Sequence, residues 1–237
     1  MPGSFDGLPW VTSRLEKRKV VTRSPHRRVG RLSAPWLQDV PIAWESQLEL
    51  AFLKQALFCP GVVSIQSEPF TLDLHSDEFL NVRTRYSPDF LIKFDNGKKL
   101  IIEVRHSSRL DQDLGFFNCF ADHVVSVGYS FAVITDDVIL ANQSRLDNAD
   151  FLYRYAQDLE AISLAVPPID AGREPFVGTL LELATKLQIS TNQALTFVAQ
   201  HNFDFDLHRE IKSVAVLAEL PPKVGDEYFY SKNWFRV

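Results

Sequence analysis

A tight turn at Asn96-Gly97 constrains the fold of this chain more than any other short feature of its sequence. The pair separates two apolar runs, residues 89–94 and 99–105, which are rich in β-branched and aromatic side chains. An Asn-Gly pair between two such runs is a strong signal of a β-hairpin. The sequence therefore predicts two antiparallel strands that bring residue 89 close to residues 103–105 at one edge of a sheet.

Hydrophobic patterns on either side of this hairpin predict a mixed α/β domain. Apolar spacing near 3.6 residues indicates helices, and short apolar runs bounded by turn residues indicate strands. The predicted helices span residues 43–58, 110–127 and 148–165, and the other predicted strands span residues 62–66, 70–74, 79–86 and 129–135. The order of helix, strands, helix and strand predicts a mixed sheet flanked by helices.

A proline-rich break over residues 166–175 predicts a domain boundary near Pro168. Beyond it, residues 179–187 and 191–200 have helical patterns, and Ser190 is a suitable N-cap for the second. Two short helices in close succession indicate a small helical, winged-helix-like domain over residues 169–237. Binding to nucleic acid and docking to a protein both remain open for it.

Positive charge is concentrated at the start of the chain, although the net charge is −5. Residues 1–35 contain eight lysines and arginines against two acids, a local charge of +6. A basic arm over residues 1–40 that neutralises DNA phosphates and a solvated tail are both consistent with this charge. The candidate DNA-binding residues are Arg23, Arg27, Arg28 and Arg31.

The cysteine content and hydropathy favour a cytoplasmic protein. Cys59 and Cys119 are far apart in apolar company, which is typical of two reduced core thiols. No apolar run approaches the roughly 18 residues that a membrane span needs, and the N-terminus lacks the order of a signal peptide. We expect no membrane association.

Two carboxylates are predicted to converge at the hairpin ends. Asp89 opens one strand, and Glu103 lies near the end of the returning strand, on the same face as Arg105 because side chains alternate along a strand. Mg²⁺ is commonly held by one or two carboxylates together with water and substrate phosphate. The alternative is that these residues have no role in metal binding. Asp89 would then be a turn residue, and Glu103 and Arg105 would form a surface ion pair worth about 0–1 kcal/mol.

The ordered set of acids resembles the PD-(D/E)xK nuclease superfamily. Glu45 in the predicted first helix precedes the Pro88-Asp89 strand and the Glu103-Val104-Arg105 strand end. The longer stretches "AWESQLELAFL" and "RYSPDFLIKFDNGKKLIIEVR" are similar to the TnsA endonuclease subunit of heteromeric cut-and-paste transposases. This resemblance implies a restriction-endonuclease-like domain over residues 41–168, followed by a winged-helix-like domain.

The resemblance also implies a function and a set of site residues. Glu45, Asp89 and Glu103 stand where the family binds Mg²⁺, for which Mn²⁺ can substitute, and Arg105 stands where a catalytic lysine is expected. The implied activity is nicking of DNA at transposon ends in the bacterial cytoplasm. The implied partners are a DDE-type transposase, which cuts the other strand, and an AAA+ ATPase regulator.

Arg105 departs from the family pattern, which has a lysine at this position, and this difference leaves alternative functions open. A guanidinium keeps its proton at ordinary pH, so it can stabilise negative charge but cannot accept a proton from water. A restriction or repair nuclease of the same superfamily and a catalytically silent DNA-binding subunit therefore remain alternatives to the transposition nuclease.

Overall fold

The computed structural model describes residues 28–73, 85–157, 174–200, 203–211 and 215–219. Its helices are α1 (Gln47–Ala56), α2 (Leu110–Ser126), α3 (Asp136–Ile139), α4 (Gln143–Ala156), α5 (Leu180–Leu187) and α6 (Thr191–Gln200). Its strands are β1 (Gly30–Ala34), β2 (Gln38–Trp44), β3 (Val62–Ser67), β4 (Leu72–Asp73), β5 (Arg85–Tyr86), β6 (Phe90–Phe94), β7 (Lys99–Arg105), β8 (Ser130–Thr135), β9 (Val177–Thr179), β10 (Phe203–Phe205) and β11 (Val216–Glu219).

Several predictions fall partly or wholly outside these ranges. They are Arg23 and Arg27 with the rest of the arm up to residue 27, the boundary near Pro168, residue 74 of the predicted strand 70–74, most of the predicted strand 79–86, residues 158–165 of the predicted helix 148–165, and parts of the predicted C-terminal domain. None of the helices within the described ranges is long and apolar enough to cross a membrane.

A four-stranded mixed sheet in the order β3-β6-β7-β8 forms the centre of the structure. Strands β3, β6 and β7 pair antiparallel, and β8 pairs parallel to β7. Phe90 of β6 lies opposite Ile102 of β7, and the same register continued by one residue sets Asp89 opposite Glu103. The predicted mixed sheet flanked by helices is confirmed.

The two faces of this sheet bury different sets of side chains. Phe90 and Ile102 face α1, and the rings of Phe90 and Phe52 stack with their centroids 5.7 Å apart. Leu91 and Ile101 face the opposite way, against the aromatic side chains of α2. Because side chains alternate along a strand, Asp89 and Glu103 continue the row of Leu91 and Ile101 on the α2 side.

Strand β1 and residues 38–40 of β2 occupy part of the predicted basic arm, residues 1–40. Strands β1 and β2 form an antiparallel hairpin, and Leu32, Ala34 and Ile42 are buried in the main core. Arg31 and Ser33 are exposed and alternate with the buried Leu32 and Ala34. The density of arginines concealed the alternation that marks β1 as a strand.

Helix α1 begins at Gln47, four residues later than predicted, because residues 43–44 complete β2. Ser46 caps the helix, with its side chain accepting a hydrogen bond from the backbone N–H of Glu49. Glu45 therefore precedes the helix, and the prediction that it lies on α1 is wrong. The acid in the first helical turn is Glu49.

Helices α5 and α6 match the predicted pair, and a three-stranded antiparallel sheet accompanies them in the order β10-β11-β9. Helix α6 has no charged side chain, and its residues 194–199 are all buried. The core that includes α6 is continuous with that of the central domain and includes Leu152 of α4. Helix α6 therefore offers no cation to a DNA phosphate.

Asn148 on α4 ties the central domain to the C-terminal segment. Its side-chain amide donates to the backbone carbonyls of Leu207 and Arg209 at 2.8 and 2.6 Å. Its side-chain oxygen accepts a hydrogen bond from the backbone N–H of Ile211 at 3.2 Å. One buried side chain thus satisfies three backbone groups of a loop distant in sequence.

We expect Asn148→Ala to lower the free energy of unfolding by about 3 kcal/mol, because it leaves three backbone groups without their partner. Asn192→Ala is the matched control, since Asn192 is exposed and its replacement should change stability by less than about 0.5 kcal/mol. Chemical denaturation of both variants measures the difference. Equal losses in the two variants would contradict the bridging role of Asn148.

Candidate active site

A cleft of about 610 Å³ opens where β6 begins and β7 ends. Acidic and cationic side chains both line it. The acids are Glu45, Glu49, Glu68, Asp89 and Glu103, and the cations are Arg28, Arg105 and Arg109. The cleft therefore combines groups that attract metal ions with groups that attract phosphates.

Asp89 is fixed by the backbone of the neighbouring strands. Its Oδ2 accepts a hydrogen bond from the backbone N–H of Val104 at 2.7 Å. Its backbone carbonyl accepts another from Glu68 at 2.8 Å. The start of β6 is thus held on both sides, and the aspartate side chain has little freedom to turn away.

The pKa of Asp89 is raised well above its ordinary value. Burial is the largest cause, and the negative charges of Glu103 and Glu49 act in the same direction. The Val104 N–H and the Arg105 charge lower it but do not compensate. A half-buried carboxylate whose pKa is raised by two other acids is stabilised by a bound cation.

Glu103 is the most buried acid of the cleft, with 2% of its side chain exposed. Its Oε2 accepts a hydrogen bond from the hydroxyl of Tyr86 at 2.7 Å. Its Oε1 forms an ion pair with Nη2 of Arg105 at 2.7 Å. Both carboxylate oxygens therefore have a strong partner within the protein.

Tyr86 is held by the aromatic cluster of α2. Its ring meets those of Phe116 and Phe120 edge to face, with centroids 4.9 Å apart in each case. Burial, followed by the charge of Glu103, raises the pKa of Tyr86 well above its ordinary value. The hydroxyl therefore keeps its proton and remains a donor to Glu103.

The Arg105 side chain contacts both Glu103 and α2. Its guanidinium lies 5.7 Å from the ring centroid of Phe117, and its Nε is 3.8 Å from Oδ2 of Asp113. That Nε is buried and has no hydrogen-bond partner among the residues that the structure describes. The side chain is 29% exposed, so its other nitrogens can reach a ligand in the cleft.

A second polar pair lies at the rim. Nδ1 of His106 is 3.0 Å from Oδ2 of Asp136, and the backbone N–H of Ser107 donates to Oδ1 at 2.7 Å. The Ser107 N–H and the His106 side chain lower the pKa of Asp136 well below its ordinary value. These contacts fix the chain where it leaves β7.

The structure brings together Asp89, Glu103 and Arg105, as the hairpin predicted. Glu45 lines the same cleft from the segment before α1, and Arg28 lines it from the segment before β1. Arg31 is exposed on β1 and is not among the cleft residues. Within the described ranges, no group of three or more acidic, histidine or cysteine side chains is close enough to hold a metal ion.

Sequence reasoning missed two residues of this site. The charge of Glu49 acts on Asp89 from the first turn of α1, and the spacing of Ser46 and Glu49 could have revealed it as a capping pattern. Tyr86 had no such signal, because its contact with Glu103 depends on the pairing of distant segments.

The mixed sheet flanked by helices, with two carboxylates at one sheet edge, is a domain of the restriction-endonuclease-like class. Within it, residues 59–160 match the family model described as TnsA-like endonuclease N terminal. These residues are therefore similar to a TnsA-like endonuclease domain, and the predicted resemblance is confirmed for them. The match contains Asp89, Glu103 and Arg105 but not α1. No curated protein matches the chain.

The raised pKa of Asp89 predicts a pH dependence of stability in the metal-free protein. The folded state holds the proton more tightly than the unfolded state, so Asp89 contributes stability that is present below its ordinary pKa of 3.8 and is lost as pH rises through the folded value. Asp89→Asn keeps a side-chain oxygen for the Val104 N–H and removes the charge. We expect this variant to be more stable than wild type at pH 8, with a smaller difference at pH 4.

Thermal unfolding in a chelator across this pH range measures the effect. Asp122→Asn, at an exposed position of α2, controls for loss of one negative charge elsewhere. A constant difference between wild type and Asp89→Asn at all pH values would contradict the assignment.

Proposed function

We propose that this protein is the metal-dependent DNA endonuclease subunit of a heteromeric transposase that nicks DNA at transposon ends. The observation that carries the proposal is the pairing of the half-buried Asp89 with the buried Glu103 beside Arg105 in one open cleft. Acids and a fixed cation in one cleft suit phosphodiester hydrolysis, in which negative charge develops on the phosphate. The TnsA-like domain supports a nuclease role in transposition.

The residues present fit Mg²⁺ or Mn²⁺ rather than a metal that needs a complete protein cage. Mg²⁺ is commonly held by one or two carboxylates, with water and substrate phosphate completing the shell. Asp89 and Glu103 would be those carboxylates, and their mutual repulsion, seen in the raised pKa of Asp89, would be relieved. A bound ion would polarise the scissile phosphate and lower the pKa of a coordinated water.

The other side chains of the cleft have distinct roles in this proposal. Glu49 and Glu45 add negative charge near the metal position from the start of α1. Arg105 stabilises the charge that develops on the phosphate, since its guanidinium keeps its proton and presents several donors. Arg28 contacts the DNA backbone at the cleft entrance.

The partners follow from the family resemblance and are proposals as well. A DDE-type transposase would cut the strand that this subunit leaves intact, and an AAA+ ATPase would regulate the assembly. A nuclease of the same chemistry with a restriction or repair role would cut DNA without dependence on transposon ends. Strand-resolved cleavage of end-containing DNA, compared with DNA that lacks the ends, distinguishes the two.

The second candidate function is a catalytically silent DNA-binding subunit. It is favoured by Arg105, which is paired with Glu103 at the position where the family has a lysine. An arginine cannot accept a proton from water, whereas a lysine with a lowered pKa could. A silent subunit would bind DNA and assemble with its transposase without metal-dependent cleavage.

Variants of Asp89 and Arg105 decide between these functions. We expect Asp89→Ala to abolish metal-dependent nicking, and Arg105→Ala to lose about 3–4 kcal/mol of transition-state stabilisation, a rate loss of a hundredfold or more. Arg105→Lys should keep substantial activity, because a cation remains. The measurement is strand-resolved nicking of end-containing DNA in Mg²⁺ with the partner transposase present.

Arg154→Gln, on the exposed side of α4, is the control and should cut like wild type. Equal background cleavage from wild type, Asp89→Ala and Arg105→Ala, with DNA binding intact, would replace the nuclease with the silent subunit.

The basic arm gives a separate prediction about DNA affinity. Replacing Arg23, Arg27 and Arg28 together with glutamine should weaken binding and reduce the slope of log affinity against log salt by about one unit for each lost phosphate contact. Fluorescence anisotropy with a labelled duplex over a salt series measures the slope. A slope unchanged from that of Arg154→Gln would argue against arm–phosphate contacts.

A further inference from the structure

Tyr86 and Arg105, which both contact Glu103, differ in how freely they can move. Tyr86 is 3% exposed and is packed among the rings of α2, which hold it in place. Arg105 is 29% exposed, so its guanidinium can change partner. The partners of Glu103 thus include a fixed donor and an exchangeable cation.

The resting position of Arg105 competes with a metal ion. Its Nη2 lies 2.7 Å from Oε1 of Glu103, so a positive charge already occupies one side of the carboxylate. A divalent ion at Glu103 would lie close to that guanidinium and be repelled by it. Metal binding at this carboxylate is therefore opposed for as long as Arg105 stays paired.

The same resting position leaves part of Arg105 unsatisfied. Its buried Nε has no hydrogen-bond partner in the described part of the chain, and Oδ2 of Asp113 is 3.8 Å from it. The two non-bridging oxygens of a DNA phosphate can accept two parallel hydrogen bonds from a guanidinium. A DNA phosphate in the cleft can therefore occupy donors of Arg105 that Glu103 leaves unused.

Resting on the proposed nuclease function, we propose that Arg105 couples metal binding to DNA binding, while Tyr86 is the positioning residue that holds Glu103 throughout. Without DNA, Arg105 is the counter-ion of Glu103 and keeps metal affinity low. When a DNA phosphate enters, Arg105 turns to it, and Glu103 becomes available to a divalent ion. The hydroxyl of Tyr86 prevents the carboxylate from following Arg105.

The coupling is reciprocal. If DNA raises the affinity for the metal by a given factor, the metal must raise the affinity for DNA by the same factor. It has a functional consequence for a nuclease whose cleavage must be confined to assembled ends. The site would hold its metal firmly only where a phosphate is already in place.

Isothermal titration of Mn²⁺ into the full-length protein tests the coupling without relying on activity. For wild type, a short DNA duplex, checked to be intact afterwards, should tighten Mn²⁺ binding by about tenfold. Arg105→Gln should bind Mn²⁺ about tenfold more tightly than wild type without DNA, and DNA should then add little. Arg154→Gln should behave like wild type.

Tyr86→Phe tests the positioning role, since it keeps the ring and removes only the hydroxyl. We expect Mn²⁺ binding about tenfold weaker than in wild type both with and without DNA, the scale found for lost hydrogen bonds to metal ligands. Tyr129→Phe is the matched control, because its hydroxyl meets Lys99 in the same aromatic cluster rather than Glu103. Equal Mn²⁺ affinities in the two tyrosine variants would overturn the role of Tyr86.

The outcomes separate this proposal from the nuclease assignment. Mn²⁺ binding that needs Asp89 but is the same with and without DNA would overturn the coupling and leave the metal site standing. No Mn²⁺ binding by wild type, with or without DNA, would overturn the proposed metal site and the coupling together. The comparison of wild type with and without DNA requires no variant and so does not depend on the folding of Arg105→Gln.

Discussion

The burial of the Glu103 carboxylate is the constraint on which the site depends. A charged group that is 2% exposed is costly unless donors or an opposite charge replace the lost water. The hydroxyl of Tyr86 and the guanidinium of Arg105 supply both. Each of these partners needs support of its own, Tyr86 from the rings of α2 and Arg105 from Phe117. Helix α2 thus supports two residues of the site as well as forming part of the core.

The two faces of the central sheet differ in polarity. The α1 face is apolar along the whole length of β6 and β7 and belongs to the main core. On the α2 face, the apolar row of Leu91 and Ile101 gives way to Asp89 and Glu103 at one edge. The two acids therefore lie between the apolar cluster around α2 and the open cleft. Low polarity behind them strengthens their mutual repulsion, and the opening in front gives a substrate access.

The sequence predicted those parts of the fold and site that depend on neighbouring residues. Strand β7 spans the predicted residues 99–105, and the convergence of Asp89 and Glu103 followed from the Asn-Gly turn alone. The predicted start of α1 was wrong because residues 43–44 pair with β1. The spacing of apolar residues along the sequence does not reveal such a contact. The partners of Glu103 could not be predicted in full, since Tyr86 reaches it only after the sheet and α2 have assembled. Propensity describes the elements, and tertiary packing decides which side chains meet.

The bridge made by Asn148 affects the order in which the chain can be completed during synthesis. Its partners lie 59 to 63 positions further along the chain, in the loop that ends at Ile211. While the ribosome is still adding those residues, the side-chain amide of Asn148 lacks the backbone groups that it bonds in the folded protein. A nascent chain that stops near Pro168 would expose this amide together with the apolar surface around Leu152. The nuclease part is therefore a poor candidate for expression as an isolated fragment, and its final packing awaits the synthesis of residues 207–211.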